Sequence, residues 1–339
     1  MTATVVTTYV GIDIAAKTLA VVLHAPGQPP TAARTLDNTP AGWQALAAWL
    51  VAAAAPPAAT RLILEATGAY WPGVAAALTA AGWAVSVVGP GSVRAYAHAR
   101  LRRAKTDAVD AALLAAYGRA LEPPVWVPPP AAVQALQLLV RQRDALVARQ
   151  TQTRNRQHAL AQLPAVPAAA SGALAALAAL LREQIAALDL AIREQAASTA
   201  RLAGEVARLT SIAGVGLLTA AVVLTETAPL RGQASPKQVV AHAGRDPAPR
   251  QSGTSVRGAD HISKTGNARL RQACYMAAVS AVRCNPPLRA VYERLLARGK
   301  RKKVALVAVA RKLLTLMVTL LTHERTFEPD WATHRRAAP

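Results

Sequence analysis

Three observations predict an α/β domain followed by a mainly helical remainder. Short β-branched runs with period-two alternation open the chain. From Pro40 such runs alternate with helical stretches. Beyond Pro123 they give way to apolar residues stepping by three and four.

Thr8 to Ala15 reads as the first strand. Val10, Ile12 and Ile14 point to one face, and Tyr9, Gly11 and Asp13 to the other. Gly11 leaves room beside Asp13 for a close approach. Leu19 to Leu23 is a second strand and Ala33 to Leu36 a third. A helix over Pro40 to Ala53 buries Trp43, Leu46 and Leu50, and Pro56-Pro57 ends it. Arg61 to Leu64 is a short apolar strand running into Glu65-Ala66-Thr67-Gly68. Glu65 therefore sits at a C-terminal strand end, where open α/β sheets place their ligands. A helix from Pro72 to Ala81 leads to a fifth strand, Ala84 to Val88. A basic helix with Arg94, Tyr96, His98 and Arg100 follows, then the basic linker Arg102-Arg103-Ala104-Lys105. The next helix is rich in Ala and Leu and opens on Asp107 and Asp110.

Strand, strand, strand, helix, strand, helix, strand, helix is the order of a ribonuclease-H-like fold, here spanning 1–125. In that order Asp13, Glu65, Asp107 and Asp110 converge on one sheet edge. Asp107 and Asp110, three apart, share a helix face. Two divalent cations about 3.5–4 Å apart clamp the attacking and leaving oxygens of a phosphodiester. Hard oxygen ligands of this kind select Mg²⁺ or Mn²⁺. Singly, each acid has a plainer reading as a strand-edge residue, a cap or a first-turn partner of the helix dipole. Jointly they favour the metal site.

Glu122 to Pro130, with five prolines, reads as a stiff extended linker. A helical hairpin or coiled-coil arm follows over 126–200. Val133, Leu136, Val140 and Val147 keep helical spacing, and after Pro164 and Pro167 so do Leu174, Leu177, Leu181, Ile185, Leu188 and Ile192. A packed helix pair within one protomer fits equally. The last part, 201–330, is mainly helical. Gly214-Val215-Gly216 sits between two helices, where free backbone N–H groups hold a phosphate without reading sequence. Arg250-Gln251-Ser252-Gly253 and Ser255-Val256-Arg257-Gly258 form a basic polar loop. From composition alone its serines shape a turn; the alternative is a nucleophile served by Arg and Lys charges. Lys264, Arg269 and the run Lys300-Arg301-Lys302 are further phosphate contacts, with a solvated charge run as the plain alternative. The tail from Phe327 is expected to be loose.

Lys plus Arg number 39 against 18 Asp plus Glu, a formal charge of +21. A small-metabolite enzyme rarely needs such an excess, because self-repulsion opposes compactness. Nucleic acid is the commonest partner that offsets it; an anionic membrane surface is the competitor. Cys274 and Cys284 have no metal-ligand or redox spacing and read as reduced packing residues. No signal peptide is evident. Ala159 to Leu181 is too alanine-rich and proline-broken to span a bilayer, and Leu209 to Thr225 is too short. A cytoplasmic, nucleoid-associated protein with no membrane partner is expected.

Three groups of residues carry a resemblance. They are Gly11-Ile12-Asp13-Ile14-Ala15-Ala16-Lys17, Leu64-Glu65-Ala66-Thr67-Gly68 and Lys105-Thr106-Asp107-Ala108-Val109-Asp110. With them the chain resembles the N-terminal, RuvC-like domain of the DEDD insertion-sequence transposases, which are bridge-RNA-guided recombinases. Ile212 to Gly216, Arg250 to Gly258 and Ile262-Ser263-Lys264-Thr265-Gly266-Asn267 through Ala278 resemble their second domain. The resemblance implies that Asp13, Glu65, Asp107 and Asp110 hold Mg²⁺ and that Ser252 attacks a DNA phosphodiester and becomes covalently linked. It also implies a site composed from two protomers of a dimer or tetramer, and a structured guide RNA that chooses donor and target DNA. The sequence departs at Gly244-Arg245-Asp246-Pro247, where the family carries an apolar residue after glycine, and at Gly89-Pro90, where Asn-Pro is usual. A metal-only junction resolvase with a structural Ser252, a sugar-kinase or actin-like ATPase, and a non-catalytic basic scaffold are the alternatives. The second lacks a further glycine-rich phosphate motif.

Overall fold

The computed structural model describes residues 6–101, 106–248, 251–252, 256–257 and 261–328, with backbone alone at 248, 251–252 and 256–257. The chain divides into two compact units, Met1–Pro128 and Pro129–Pro339.

The first unit is a mixed α/β sheet domain. Its strands are β1 (Thr8–Ile14), β2 (Thr18–His24), β3 (Arg34–Asp37), β4 (Thr60–Glu65) and β5 (Ala84–Val88), in sheet order β3-β2-β1-β4-β5. The first three form an antiparallel meander, while β4 and β5 run parallel to β1. The helices are α1 (Pro40–Ala52), α2 (Trp71–Ala80), α3 (Pro90–Ala99) and α4 (Asp107–Leu121). The alternation read along β1 sorts the two faces. Val10, Ile12 and Ile14 join Leu46 and Leu50 of α1 and Val74 and Leu78 of α2 in one buried cluster. Tyr9 joins Ile63, Leu114 and Tyr117 on the other face.

The expected stiff, extended linker is anchored over its first half. Pro123 offers its carbonyl to Ser86 Oγ at 2.9 Å and to Arg61 at 3.0 Å, and the Trp126 N–H donates to Val85 O at 2.7 Å. The Trp126 ring packs edge-on against Trp71 at 5.6 Å. Prolines donate no backbone hydrogen bonds, so they attach through carbonyls such as that of Pro123, while the tryptophan between them donates its N–H.

The second unit is helical. It contains α5 (Ala131–Leu160), α6 (Ala168–Ala196), α7 (Ala200–Thr210), α8 (Leu217–Thr227) and α9 (Pro236–His242). The last three helices are α10 (Ala268–Cys284), α11 (Pro286–Ala297) and α12 (Lys302–Thr322). Between α9 and α10 lie two short ladders, β6 (Pro247–Ala248) with β9 (His261–Ile262) and β7 (Gln251–Ser252) with β8 (Val256–Arg257). The base of the arm expected over 126–200 packs with the later helices. Val133, Leu136 and Val140 of α5 and Ile192 of α6 are buried in the same cluster as Val223, Leu270 and Leu313. Helix α12 is long and apolar enough to cross a membrane by length and composition. It serves instead as a core helix, with Val309, Ala310, Leu313, Leu314 and Met317 inaccessible. Phe327, expected in a loose tail, packs against this core and donates its N–H to Ser211 Oγ at 2.9 Å. Cys274 is buried as expected, but Cys284 is exposed.

Candidate functional site

The four acids of the first unit are placed by register and by one close helix–sheet contact. β1 and β4 are parallel, with Gly11 opposite Ile63 and Ile12 opposite Leu64. The next pair along both strands is Asp13 and Glu65. Side chains alternate along a strand, so Asp13 shares the face of Gly11, and Glu65 that of Ile63. This face carries α4. A β-carbon on Gly11 would stand 1.9 Å from Ala111 O and 2.5 Å from Ala115 N, and one on Gly118 would meet Ile63 at 2.4 Å and Tyr9 at 3.1 Å. Tyr9 thus lies beside Gly118 and Gly11 beside Ala111 and Ala115, so strand and helix run in opposite directions. Two strand residues beyond Gly11 correspond to about four helical residues, which puts Asp13 alongside the first turn of α4. Ala20, opposite Asp13 on β2, packs in a cluster with Ala111, in keeping with this alignment.

That first turn holds Asp107 and Asp110. They precede Ala111 and Leu114 by four residues each and so continue the stripe that faces the sheet. Thr106 caps the helix by accepting from the Val109 N–H at 3.3 Å, and the helix dipole favours carboxylates there. Asp107 is exposed, while Asp13, Glu65 and Asp110 are half-buried. The donor set is all oxygen, as a hard divalent cation requires. The tight Gly11 seat lets β1 approach α4 at the level of these acids. Among the described residues, however, no three Asp, Glu, His or Cys side chains are gathered as closely as one ion demands. The backbone assembles the four acids on one edge without closing their side chains into a cage.

The second unit carries the remaining expected residues. Ser252 lies in β7 opposite Val256, and Arg257 lies in β8 opposite Gln251. Arg102, Arg103, Lys105 and Arg250 fall outside the described residues. Gly214 and Gly216 part company. Gly214 has φ +98° and is pressed on α10, where a β-carbon would stand 2.5 Å from Ala281 Cα; a β-carbon on Gly216, before the first residue of α8, would meet nothing. Packing thus explains Gly214, and the exposed Gly216 alone keeps the geometry of a phosphate contact. Lys264 (φ +56°), Arg269, Lys300, Arg301 and Lys302 are all exposed, and Arg269 pairs with Asp144 at 2.9 Å.

Two features escape a reading of the sequence. Arg245, in the Gly244 to Pro247 stretch that departs from the family pattern, is 1 % exposed and donates to the Arg271 carbonyl. Its position suits the apolar residue usual there, so it is removed from direct nucleic-acid contact. Burial draws its guanidinium below the ordinary value, Cys274 and Tyr275 opposing and Arg271 adding to the shift. Burial likewise pushes the Cys274 thiol up to about 12, despite the nearby Arg245 charge. The second feature is Glu226, buried at the end of α8, which accepts from Arg141 at 3.1 and 3.2 Å and from Asn267 Nδ2 at 2.6 Å. Burial lowers the pKa of His242 nearby, with Glu226 partly offsetting it by its charge and its backbone. The one signal for Glu226 in the sequence is an acid closing an otherwise uncharged helix, Leu217 to Thr227.

Comparisons with known proteins place both units. Residues 10–163 match a DEDD family model of IS110 type, described as "Transposase", and residues 206–293 match one described as "Transposase IS116/IS110/IS902 family". The chain is 31% identical over 324 residues to the pilin gene-inverting protein of Moraxella bovis, covering 95% of this chain and 98% of that protein. The pilin gene-inverting protein of Moraxella lacunata gives the same identity and coverage. The insertion element IS110 uncharacterized 43.6 kDa protein of Streptomyces coelicolor is 32% identical over 120 residues, 35% of this chain and 29% of that protein.

Proposed function

Because this chain belongs to the IS110 family of transposases, we propose that it exchanges DNA strands through Ser252, assisted by a ribonuclease-H-type site of Asp13, Glu65, Asp107 and Asp110. That it is a DNA-recombining enzyme follows from the family itself.

In the proposed reaction the Ser252 hydroxyl oxygen bonds to a backbone phosphorus as one P–O ester bond to the sugar breaks. The serine gives up its proton and the departing sugar oxygen takes one up. A sugar hydroxyl of the partner strand then attacks the phosphoserine, a new P–O ester bond forms, and the serine is restored. No oxidant or energy donor is needed, because each ester bond broken is replaced by another. The four carboxylates would hold Mg²⁺ or Mn²⁺, which supplies charge neutralisation at the phosphate. Their part is to keep oxygen donors on one edge, with Glu65 beside Asp13 and the first turn of α4 facing both.

DNA is the substrate, and the charge of +21 suits it. Lys264, Arg269, Lys300, Arg301, Lys302 and the Gly216 N-terminus of α8 are the proposed phosphate contacts of the second unit. Arg102, Arg103, Lys105, Arg250 and Arg257 are proposed as further phosphate contacts from their place in the sequence. A structured guide RNA that selects donor and target, and assembly as a dimer or tetramer, complete the reading; the sequence resemblance supports them.

The observation that carries the proposal is the register that sets Asp13 beside Glu65 on the face closed by α4. Trapping of the covalent protein–DNA adduct tests it. Ser252→Ala is expected to abolish the adduct in a folded protein, and Asp13→Asn to abolish cation-dependent strand exchange. Cation-dependent cleavage that persists in Ser252→Ala would point to the metal-only resolvase. Full activity of Asp13→Asn in chelator would remove the acidic site.

A further inference from the structure

Ser252 lies in the chain between Ala248 and His261, which pair in the β6–β9 ladder, and that ladder is the neck of its segment. Below the ladder this neck is tied backbone to backbone. The Ser263 N–H donates to Asp246 O at 3.0 Å, Lys264 N–H to Gly244 O at 3.1 Å and Asn267 N–H to His242 O at 2.6 Å. Arg271 adds a bond to Ala243 O at 3.0 Å. Gly244 and Gly266, both at positive φ, allow the approach: their β-carbons would stand 2.5 Å from Thr265 O and 2.2 Å from His242 O.

One fastening of the neck to the helical core runs through the end of α8. Glu226, its side chain 4% exposed, accepts a forked pair of bonds from Arg141 of α5 and a third from Asn267 Nδ2. Asn267 meanwhile caps α10, its Oδ1 accepting from the Leu270 N–H at 3.0 Å. A buried carboxylate with three donors is held in one orientation, and Arg141 offsets its charge.

We propose that Glu226 is a positioning residue for strand cleavage: through Asn267 it fixes the neck that flanks the Ser252 segment in sequence, without touching DNA. This rests on reading Ser252 as the nucleophile. In-line attack tolerates little displacement, and a shift near 1 Å costs about a hundredfold in rate.

The test compares Glu226→Gln, Asn267→Ser and Ser252→Ala in the full chain. It uses single-turnover adduct formation on pre-bound DNA, DNA affinity, thermal midpoint and amide exchange of residues 244–246 and 261–267. Asn267→Ser keeps a capping hydroxyl for α10 but cannot reach Glu226, so it decides the matter if Glu226→Gln fails to fold. The expected result is an adduct rate about ten- to a hundredfold lower in both, with DNA affinity unchanged and exchange faster in the neck alone. The double variant should be no slower than the worse single one, as for two residues acting as a unit. A merely structural Glu226 would lower the thermal midpoint and leave the bound-state rate alone. Adduct rates within twofold of the parent for folded Asn267→Ser, with Ser252→Ala inactive, would overturn the proposal and leave the serine reading standing. An adduct that persists in Ser252→Ala would overturn both.

Discussion

Gly11 of β1 and Ala111 of α4 meet so closely that a β-carbon on the glycine would stand 1.9 Å from the alanine carbonyl oxygen. The obstacle is helix backbone, which cannot rotate aside. Gly11→Ala must therefore push α4 away from the sheet, and with it Asp107 and Asp110 away from Asp13. Overpacking of this kind costs about 1–3 kcal/mol. Chemical denaturation should show that loss, and strand exchange should fall more steeply than stability. Parental stability and activity would mean that the strand and helix are not held at this distance.

Gly214 and Gly216 should separate packing from binding. Gly214→Ala combines a strained positive φ with a backbone clash at Ala281 and is expected to destabilise the chain by about 2–4 kcal/mol. Gly216→Ala meets open space and should leave the melting temperature unchanged. Its effect belongs in the salt dependence of DNA affinity, as backbone crowding at the N-terminus of α8 weakens a phosphate contact.

The two cysteines should differ in reactivity. Cys284 is exposed, whereas Cys274 is buried with its thiol pushed up to about 12. Since the thiolate is the reacting species, an alkylating reagent at mildly alkaline pH should modify Cys284 in the native protein and reach Cys274 only on unfolding. Labelling of native Cys274, read by peptide mass, would contradict the packing of α10.

Acid should weaken the fold through its histidines. Burial holds His242 below its ordinary value of 6.5, and burial together with the Arg119 charge does the same to His24. The unfolded chain then binds protons that the folded chain refuses, so stability is full above 6.5 and falls as pH drops toward the lowered folded values. Melting temperature should decline from about pH 7 to about pH 5, and His242→Gln should flatten part of that decline. A parental pH profile in the variant would show that His242 titrates freely.

The first unit was largely legible because its signals are local. Val10, Ile12 and Ile14 alternate against Tyr9, Gly11 and Asp13, and Pro40 marks a helix start that recurs in the structure. Glu65 at a strand end and Asp107/Asp110 in a first turn are likewise readable without tertiary information. Burial of charge is not. Arg245 sits among loop-forming residues and reads as solvated, and only the packing of α10 reveals that it is enclosed. Glu226 depends on Arg141 and Asn267, far away along the chain, so no spacing rule points to it. Gly214 belongs to a motif suited to phosphate, and a neighbour distant in sequence, Ala281, gives it another task. Trp126 was hidden by the prolines around it, whose composition describes a spacer while the ring and N–H anchor it.

The pairing of Pro247 with Ile262 and of Ala248 with His261 has an evolutionary corollary. Exit and re-entry lie side by side, so residues 249–260 can lengthen, shorten or be traded between relatives without altering the span the helical core must bridge. A change of length there would leave the paired ends where they are, so selection on folding would act on the ladder and the core while selection on chemistry acts between them.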